Sequence, residues 1–220
     1  MHLSLYKRVP TGAGLGGGSS DAAGVLLALC EMFDKNPLDL LDVAAQLGAD
    51  VPLFLYPDTF LKGQGIGEQL TPVSSCENLP HLVLVYPNIG VSTKEVFARL
   101  HVPAQEEVLT NLSKLDTLIN VVGNGAPLKD WEPLLFNRLE EYVFPFVPAV
   151  KGALGVLRQA GNGICRMSGS GSTVFALVGT KQNAQELATK LQQLKARVYP
   201  VAFYRGPAHA NYGNQSSSNP

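Results

Sequence analysis

Hydrophobic and polar residues alternate at the start of the chain, and this pattern predicts a β-strand over Leu3–Val9. The side chains of Leu3, Leu5 and Val9 are apolar, whereas the residues between them are mostly polar. Successive side chains of a strand point to opposite faces, so such alternation is typical of a half-buried strand. Because the chain opens within this strand, we expect that a further segment precedes it.

Apolar residues at helical spacing predict several helices farther along the chain. The second of them is the best marked, because Asn36 can cap it, Pro37 can occupy its first position and Gly48 can end it. The predicted helices are Ala22–Phe33, Pro37–Leu47, a short helix that is capped by Ser92 or Thr93 and ends at Leu100, Leu109–Val121, Glu132–Tyr142, Pro148–Ala160 and Thr180–Lys195.

Short apolar runs bounded by glycine, proline or asparagine predict the remaining strands. They are Val51–Tyr56, a strand with a loop over Thr59–Pro72, Leu82–Tyr86, Ile164–Met167, Thr173–Val178 and Val198–Tyr204. Helices and strands are therefore mixed, and the predicted fold class is α+β.

The composition changes at Ser74–Pro80, which predicts a boundary between two lobes, residues 1–76 and 77–206. Residues 207–220 carry almost no bulky apolar side chain, so we expect them to form a disordered tail.

Composition and charge narrow the classes of partner. The chain has 220 residues, of which 45% are hydrophobic and 16% charged, and its formal net charge is -1. Since it has no basic stripe, we expect neither a nucleic-acid partner nor an anionic membrane surface. No apolar run approaches the length of a membrane span, and the first residues are too few and too polar for a signal peptide.

The cysteines and histidines give no sign of a metal site. Cys30, Cys76 and Cys165 are widely spaced, and two of them have apolar neighbours. This pattern favours reduced thiols in a cytoplasmic protein over a disulfide framework. The four histidines lack ligand spacing with each other or with cysteine, so we expect no zinc.

A cluster of glycines lies between the first strand and the first helix. Pro10–Ser20 reads PTGAGLGGGSS, with five glycines and two serines. So dense a cluster indicates unusual backbone angles or a close approach to another group. A glycine-rich turn at the start of a helix presents unpaired N–H groups beside the positive end of the helix dipole, which is typical of a phosphate site. Ser19, Ser20 or Asp21 is expected to cap the helix.

Two common phosphate-loop templates fit this cluster poorly. The Walker pattern requires a lysine where Gly18 stands. The dinucleotide pattern GxGxxG matches at Gly12, Gly14 and Gly17, but the strand before it is half polar. Asp34, the candidate ribose ligand, lies at the end of the helix instead of on a second strand.

A third, longer template matches from Pro10 through Ala23: Pro-x-x-x-Gly-Leu-Gly-Gly-Gly-Ser-Ser, then an acid and two alanines. In this segment the chain resembles the GHMP kinase superfamily, and within it the 4-diphosphocytidyl-2-C-methyl-D-erythritol kinases. Four further segments agree in order and spacing: Leu47–Phe54, Gly63–Val73, Gly90–Phe97 and Met167–Leu177. The resemblance implies a two-lobed fold with a ribosomal S5-like nucleotide lobe, here incomplete, and a ferredoxin-like C-terminal lobe.

The resemblance also implies an activity: ATP-dependent phosphorylation of a hydroxyl of 4-diphosphocytidyl-2-C-methyl-D-erythritol, in non-mevalonate isoprenoid biosynthesis. We expect a small-molecule substrate and a monomer or homodimer. Main-chain N–H groups of the first loop would hold the triphosphate of ATP. That loop consists of Pro10, Thr11, Gly12, Ala13, Gly14, Leu15, Gly16, Gly17, Gly18, Ser19 and Ser20.

Three further roles follow from the resemblance, each beside a simpler interpretation. Asp50 would be the general base that takes the proton of the substrate hydroxyl, although an aspartate in an ordinary helix-ending turn is the alternative. Ser20 would contact Mg²⁺ brought by ATP, or would only cap the helix. A second loop would lie close to the first and contact a phosphate or the substrate diphosphate, unless it is a plain hairpin turn; its residues are Ser168, Gly169, Ser170 and Gly171.

The chain departs from the family pattern in two places. The family's P-A-K-I-N-L signature, whose lysine assists the aspartate, and the Tyr-His pair that helps to hold cytidine are absent from these 220 residues. Either the recorded start is too late, which we favour, or the chain is short, with an exposed sheet edge and little activity. Arg138 stands where the family usually has an acid. Another GHMP kinase activity and a non-catalytic nucleotide-binding remnant remain alternatives.

Overall fold

A computed structural model describes residues 2–161 and 163–204 of the chain. Contacts between residues divide them into two units. One unit comprises the residues up to Gly17 together with Ser74–Phe203, and the other comprises Gly18–Val73 with Tyr204. Among the described residues, none of the helices combines the length and apolar character that a bilayer crossing requires.

The Gly18–Val73 unit begins with two helices, α1 (Gly17–Met32) and α2 (Leu41–Leu47). A 3-10 turn over Pro37–Leu40 leads into α2. The side chain of Asn36 caps this 3-10 turn by accepting the N–H of Leu38 at 3.0 Å. Helix α2 ends at Leu47, and Gly48 follows as its C-cap. The predicted cap, first proline and final glycine are therefore all confirmed.

Helix α1 begins at Gly17, whereas the sequence pattern placed its start at Ala22. Ser19, Ser20 and Asp21 therefore lie inside the helix, and the prediction that one of them caps it is wrong. The low helix propensity of Gly17 and Gly18 hid the true start. The helix is stabilised by its buried face, on which Ala23, Leu26 and Cys30 recur at intervals of three and four.

The same unit contains a short hydrophobic core and a hairpin. The core consists of Ala23, Leu26, Ala44, Val51 and Leu55. Strands β1 (Phe60–Gln64) and β2 (Gln69–Val73) pair antiparallel, which agrees with the strand and loop predicted there. The predicted strand Val51–Tyr56 is wrong, because Pro52–Leu55 form a 3-10 turn. Pro52 is suited to the first position of such a turn and cannot donate a ladder hydrogen bond.

The other unit contains four strands and six helices among its described residues. The strands are β3 (His81–Tyr86), β4 (Ile164–Met167), β5 (Val174–Val178) and β6 (Arg197–Ala202). The helices are α3 (Thr93–Phe97), α4 (Gln105–Gly123), α5 (Leu128–Trp131), α6 (Glu140–Val143), α7 (Pro148–Ala160) and α8 (Lys181–Lys190).

These strands form one antiparallel sheet in the order β4-β5-β3-β6. Helix α7 lies between β3 and β4 in the chain, and α8 lies between β5 and β6. The order and connections are those of a ferredoxin-like βαββαβ unit, with α3 to α6 inserted after its first strand. The predicted ferredoxin-like lobe is therefore confirmed.

The two crossover helices bury their apolar faces in the core of this unit. Helix α7 contributes Val150, Leu154 and Leu157, all of them at most 1% exposed. Helix α8 contributes Ala184, Leu187 and Ala188 to the same core, which also includes Val83 and Val85 of the central strand β3. Burial of one helix face against a sheet accounts for the regular spacing that predicted both helices.

Of two predicted elements of this unit, one is absent from the structure and the other is mostly non-helical. Leu3–Val9 has no regular secondary structure, and Leu3 and Leu5 are exposed. Alternation makes a strand only where a neighbouring strand supplies hydrogen bonds, and none pairs with these residues in the described part of the chain. Glu132–Tyr142 is helical only from Glu140, where α6 begins, because Pro133 lacks an N–H and Asn137 accepts the N–H of Leu139 through its side chain.

The division into units differs from the predicted lobes at the N-terminal end. The change at Val73–Ser74 lies close to the predicted boundary after Cys76, but the residues up to Gly17 group with the later unit. The lobes 1–76 and 77–206 remain a prediction. The predicted disordered tail, residues 207–220, lies outside the described residues.

Candidate functional site

The glycine-rich loop alternates between two backbone conformations. Gly12, Gly14 and Gly16 have φ values of 63°, 69° and 62°, in the left-handed region that favours glycine. Ala13 and Leu15, between them, are not among the residues with positive φ. Left-handed residues recur in loops whose successive N–H groups form a concave site for an anion.

Three consecutive carbonyl groups fix this loop to its own unit. The oxygen of Gly12 accepts the N–H of Val91 at 2.9 Å, and that of Ala13 accepts the N–H of Thr173 at 3.0 Å. The oxygen of Gly14 accepts the hydroxyl of Ser168 at 2.8 Å. The supporting residues come from the segment after β3, from the second glycine–serine loop and from Thr173, which directly follows that loop.

The direction of these carbonyls determines the direction of the following N–H groups. In a planar trans peptide, the C=O of one residue and the N–H of the next point in opposite directions. The N–H groups of Ala13, Gly14 and Leu15 therefore point away from the supporting segments. Within residues 2–161 and 163–204 they donate no hydrogen bond to protein. They are available to an anionic ligand.

Close packing makes glycine necessary at position 14. A Cβ atom built on Gly14 would lie 2.3 Å from the oxygen of Ser168 and 2.6 Å from that of Gly171, both of them backbone atoms. The structure therefore brings the two predicted loops together, as the sequence analysis expected. The contact is made by backbone, which explains why both segments are rich in glycine.

The second loop, Ser168–Ser172, uses its hydroxyl groups within the protein. Ser168 donates to Gly14, and the hydroxyls of Ser170 and Thr93 lie 2.8 Å apart. The hydroxyl of Ser172 donates to the oxygen of Ile89. A substrate role for Ser168, Gly169, Ser170 and Gly171 remains a prediction, and these contacts leave the main chain as the better candidate for binding.

The structure places Ser19 and Ser20 in the first turn of α1, half-buried. It places Asp50 in the Gly18–Val73 unit, exposed, in the turn between α2 and the 3-10 turn at Pro52–Leu55. The N–H of Val51 donates to the oxygen of Gly48 at 3.0 Å, which fixes this turn. The proposed functions of both positions remain predictions.

The sequence analysis missed three groups beside the loops. Lys7 donates from its ammonium to the oxygen of Gly17 at 3.1 Å, so a cation lies at the end of the glycine loop. Asn137 and Glu140 contact the backbone at Met167 and Gly169. A lysine next to a glycine cluster and an N-x-x-E spacing were the available signals, but neither is specific by itself.

Arg138, the residue that departs from the family pattern, lies in a different environment from its neighbour Asn137. Its guanidinium donates to the oxygen of His101, lies 3.6 Å from the carboxylate of Glu107, and faces the ring of Tyr142. Arg138 thus joins helices α4 and α6 to the segment after α3.

The described residues contain no cluster of three or more His, Cys, Asp or Glu side chains that could hold a metal ion.

Comparison with known proteins agrees with this arrangement of segments. Residues 1–58 match the family model of the GHMP kinases N terminal domain, and residues 124–196 match that of the GHMP kinases C terminal domain. A 4-diphosphocytidyl-2-C-methyl-D-erythritol kinase from Citrifermentans bemidjiense is 36% identical over 210 residues, which cover 93% of this chain and 69% of that protein. The chain belongs to the GHMP kinase family.

Other members of this GHMP kinase family support the same relationship. A 4-diphosphocytidyl-2-C-methyl-D-erythritol kinase from Deinococcus radiodurans is 39% identical over 87% of this chain, which spans 62% of the length of that relative. A crystal structure of a 4-(cytidine 5'-diphospho)-2C-methyl-D-erythritol kinase is 33% identical, with a TM-score of 0.71 over 90% of this chain and 68% of that one.

A homoserine kinase from Cytophaga hutchinsonii is only 19% identical but has a TM-score of 0.78, over 91% of this chain and 69% of that one. This second likeness supports the GHMP kinase fold alone.

Proposed function

We propose that this chain carries the phosphate-binding loop of an ATP-dependent small-molecule kinase. The observation that supports this most directly is the direction of the loop peptides: three carbonyls face the fold, and the N–H groups of Ala13, Gly14 and Leu15 face the opposite way. Such a row of main-chain donors suits the triphosphate of a nucleotide. Membership of the GHMP kinase family agrees with ATP as the phosphoryl donor.

The proposed acceptor is a hydroxyl of 4-diphosphocytidyl-2-C-methyl-D-erythritol. Support comes from the relatives, since proteins of 35–39% identity from several bacteria carry the name of the kinase for that alcohol. The proposal places the chain in the synthesis of isoprenoid precursors by the non-mevalonate route. Because the chain spans only part of these relatives, the substrate is inferred from them and not from contacts in this structure.

Asp50 is the proposed general base. Its carboxylate would take the proton from the substrate hydroxyl as the hydroxyl oxygen attacks the γ-phosphorus of ATP. A new P–O bond forms, the bond between the γ-phosphorus and the β–γ bridging oxygen breaks, and ADP leaves. The exposed position of Asp50, two residues after the glycine that caps the end of α2, makes its carboxylate accessible to a ligand.

The hydroxyl of Ser20 is the group that we propose for the Mg²⁺ ion accompanying ATP. A hydroxyl oxygen is a hard ligand that suits Mg²⁺, and Ser20 lies in the first turn of the helix that follows the loop. The ion would neutralise charge on the phosphates. The protein itself would hold the main-chain N–H groups of the glycine-rich loop in place beside the phosphates.

A direct test is transfer of the γ-phosphoryl group from labelled ATP. The chain is incubated with 4-diphosphocytidyl-2-C-methyl-D-erythritol, and with homoserine and mevalonate as matched alcohols. We expect label in the first alcohol only. Label in one of the other two instead would support another GHMP kinase activity, whereas ATP binding without transfer to any of them would support the non-catalytic alternative. Failure to bind ATP would overturn the proposed site.

A further inference from the structure

The edge strand β4 is covered by side chains instead of by another strand. In the sheet order β4-β5-β3-β6, β5 is the one strand of the described residues that pairs with β4, so the other edge of β4 needs different partners for its backbone groups. At Met167, which is 1% exposed, the N–H donates to the carboxylate of Glu140 at 2.7 Å, and the carbonyl accepts the side-chain amide of Asn137 at 2.9 Å. Together these two side chains occupy the positions that a neighbouring strand would occupy.

Asn137 also reaches into the loop that follows β4. Its side-chain nitrogen donates a second hydrogen bond, of 2.8 Å, to the carbonyl of Gly169. Its side-chain oxygen accepts the N–H of Leu139 at 2.9 Å. An asparagine amide has two N–H donors, and here both are used on carbonyls two residues apart. These hydrogen bonds fix the orientation of the amide, because its nitrogen must face the two carbonyls and its oxygen must face the N–H of Leu139.

The backbone that Asn137 and Glu140 hold is the backbone that supports the glycine loop. Ser168, between Met167 and Gly169, donates to the carbonyl of Gly14. Thr173, which accepts the N–H of Ser168, donates to the carbonyl of Ala13. A displacement at Met167–Gly169 would therefore move the two carbonyls whose direction determines where the N–H groups of the loop point.

We propose that Asn137 and Glu140 are positioning residues for the phosphate-binding loop, acting through the Met167–Gly169 backbone. This inference rests on the proposed function for its catalytic consequence, but the contacts themselves do not depend on the identity of the acceptor. Asn137 acts as a donor and Glu140 as an acceptor. Isosteric exchanges that alter one property at a time therefore distinguish them from residues that only fill space.

Asn137→Asp replaces both donors by an acceptor that faces two carbonyl oxygens, with almost no change in size. We expect the amide hydrogens of Ser168 and Thr173 to exchange with solvent about tenfold faster, and the KM for ATP to rise by about tenfold. The KM for the alcohol should rise less than the KM for ATP, because Asn137 contacts the second loop only at Gly169, whereas the glycine loop depends on both Ser168 and Thr173. Glu140→Gln keeps an acceptor for the N–H of Met167 and should retain wild-type values, whereas Glu140→Ala should not.

Asn111→Asp is the matched control. Asn111 and Asn137 line the same cavity of about 530 Å³, and the exchange adds the same charge on helix α4, at a residue that forms no hydrogen bond with Met167 within the described part of the chain. If Asn137→Asp does not fold, Asn137→Ala, which removes the donors without adding charge, takes its place. Equal exchange rates and equal KM for ATP in the Asn137 and Asn111 variants would overturn the proposal.

The experiments distinguish failure of the proposed kinase function from failure of the proposed positioning role. If the unaltered chain transfers no phosphoryl group, the proposed function fails, and the hydrogen-exchange comparison still decides whether Asn137 and Glu140 hold the loop. If the chain is active and Asn137→Asp changes kcat and the alcohol KM as much as the KM for ATP, the residues act on general folding, and the positioning role is rejected.

Discussion

The hydroxyl of Ser168 donates a 2.8 Å hydrogen bond to the carbonyl oxygen of Gly14, 154 residues earlier in the chain. It joins two glycine-rich loops that lie far apart in sequence. The bond fixes one of the three carbonyls that set the direction of the loop N–H groups. Ser168 is therefore a side chain through which the second loop acts on the first, and we expect its removal to affect both stability and binding.

Ser168→Ala should lower the free energy of unfolding by about 1 kcal/mol, the usual net value of a neutral hydrogen bond. Affinity for ATP should fall by about fivefold, because the peptide between Gly14 and Leu15 loses its anchor. Denaturant unfolding and nucleotide titration measure the two effects. Ser113→Ala, on the exposed face of α4, is the control and should change neither. An unchanged ATP affinity in the Ser168 variant would contradict the role of this bond.

Gly14→Ala should be far more damaging than a glycine exchange in a helix. The new Cβ would lie 2.3 Å from the oxygen of Ser168, and the φ of 69° disfavours any residue with a side chain. We expect a loss of about 2–4 kcal/mol in the free energy of unfolding, together with loss of ATP binding.

The control for Gly14 is Gly24→Ala, in helix α1. A Cβ at Gly24 meets no atom within 4 Å, so this exchange should stabilise the chain by about 0.5–1 kcal/mol. Thermal or denaturant unfolding of both variants compares the two glycines directly. Comparable stability changes of the same sign would show that loop packing does not require glycine at position 14.

Asp50→Asn should reduce kcat by a factor of about 10²–10⁴, the usual contribution of a general base, and should leave the affinity for ATP within about twofold. The amide has almost the same shape but cannot take the proton. Asp58→Asn, at another exposed aspartate of the same unit, is the control and should retain activity. Near-normal turnover in the Asp50 variant would remove Asp50 as the base.

The thiol of Cys165 should make the free energy of unfolding depend on pH in the alkaline range. Burial raises the pKa of its thiol above the ordinary value of 9.0, although Arg158 and Arg166 oppose the shift. In the unfolded chain the thiol ionises at lower pH than in the folded chain. Its stabilising contribution is therefore complete below about pH 9 and is lost as pH rises through the folded pKa, by at most about 1.4 kcal/mol per pH unit.

The measurement is the free energy of unfolding between about pH 8 and pH 11 for the wild type, Cys165→Ala and Cys76→Ala. The wild type and the Cys76 variant should lose stability more steeply than the Cys165 variant. Parallel curves for all three proteins would show that the Cys165 thiol has no linkage to folding.

Local signals in the sequence predicted the local parts of the fold. The cap at Asn36, the proline after it and Gly48 define their helix through neighbours a few residues away, and the structure agrees. The strand at Leu3–Val9 and the helix at Glu132–Tyr142 were predicted wrongly, because the first requires a partner strand and the second is interrupted by Pro133 and the side chain of Asn137.

The candidate site likewise has one part that the sequence could predict and one part that it could not. The glycine cluster could be predicted from its composition, because main-chain N–H groups need no particular side chain. The contacts of Asn137 and Glu140 with Met167 could not, since they join residues about 30 positions apart through one hydrogen bond each. No periodicity reports such a contact, and the N-x-x-E spacing gains meaning only when the edge strand is known.

The inward direction of the Gly12, Ala13 and Gly14 carbonyls has a consequence for ligand choice. With those oxygens engaged by Val91, Thr173 and Ser168, the three peptides from Gly12 to Leu15 present their N–H groups on the opposite side, whatever side chains these residues carry. The preference for negative over positive ligands then follows from the planar trans peptide, which places each N–H opposite to the engaged C=O. Evolution could exchange Thr11 or Leu15 and alter affinity, yet at these three peptides a cation would find no carbonyl acceptor unless the loop detached from its support.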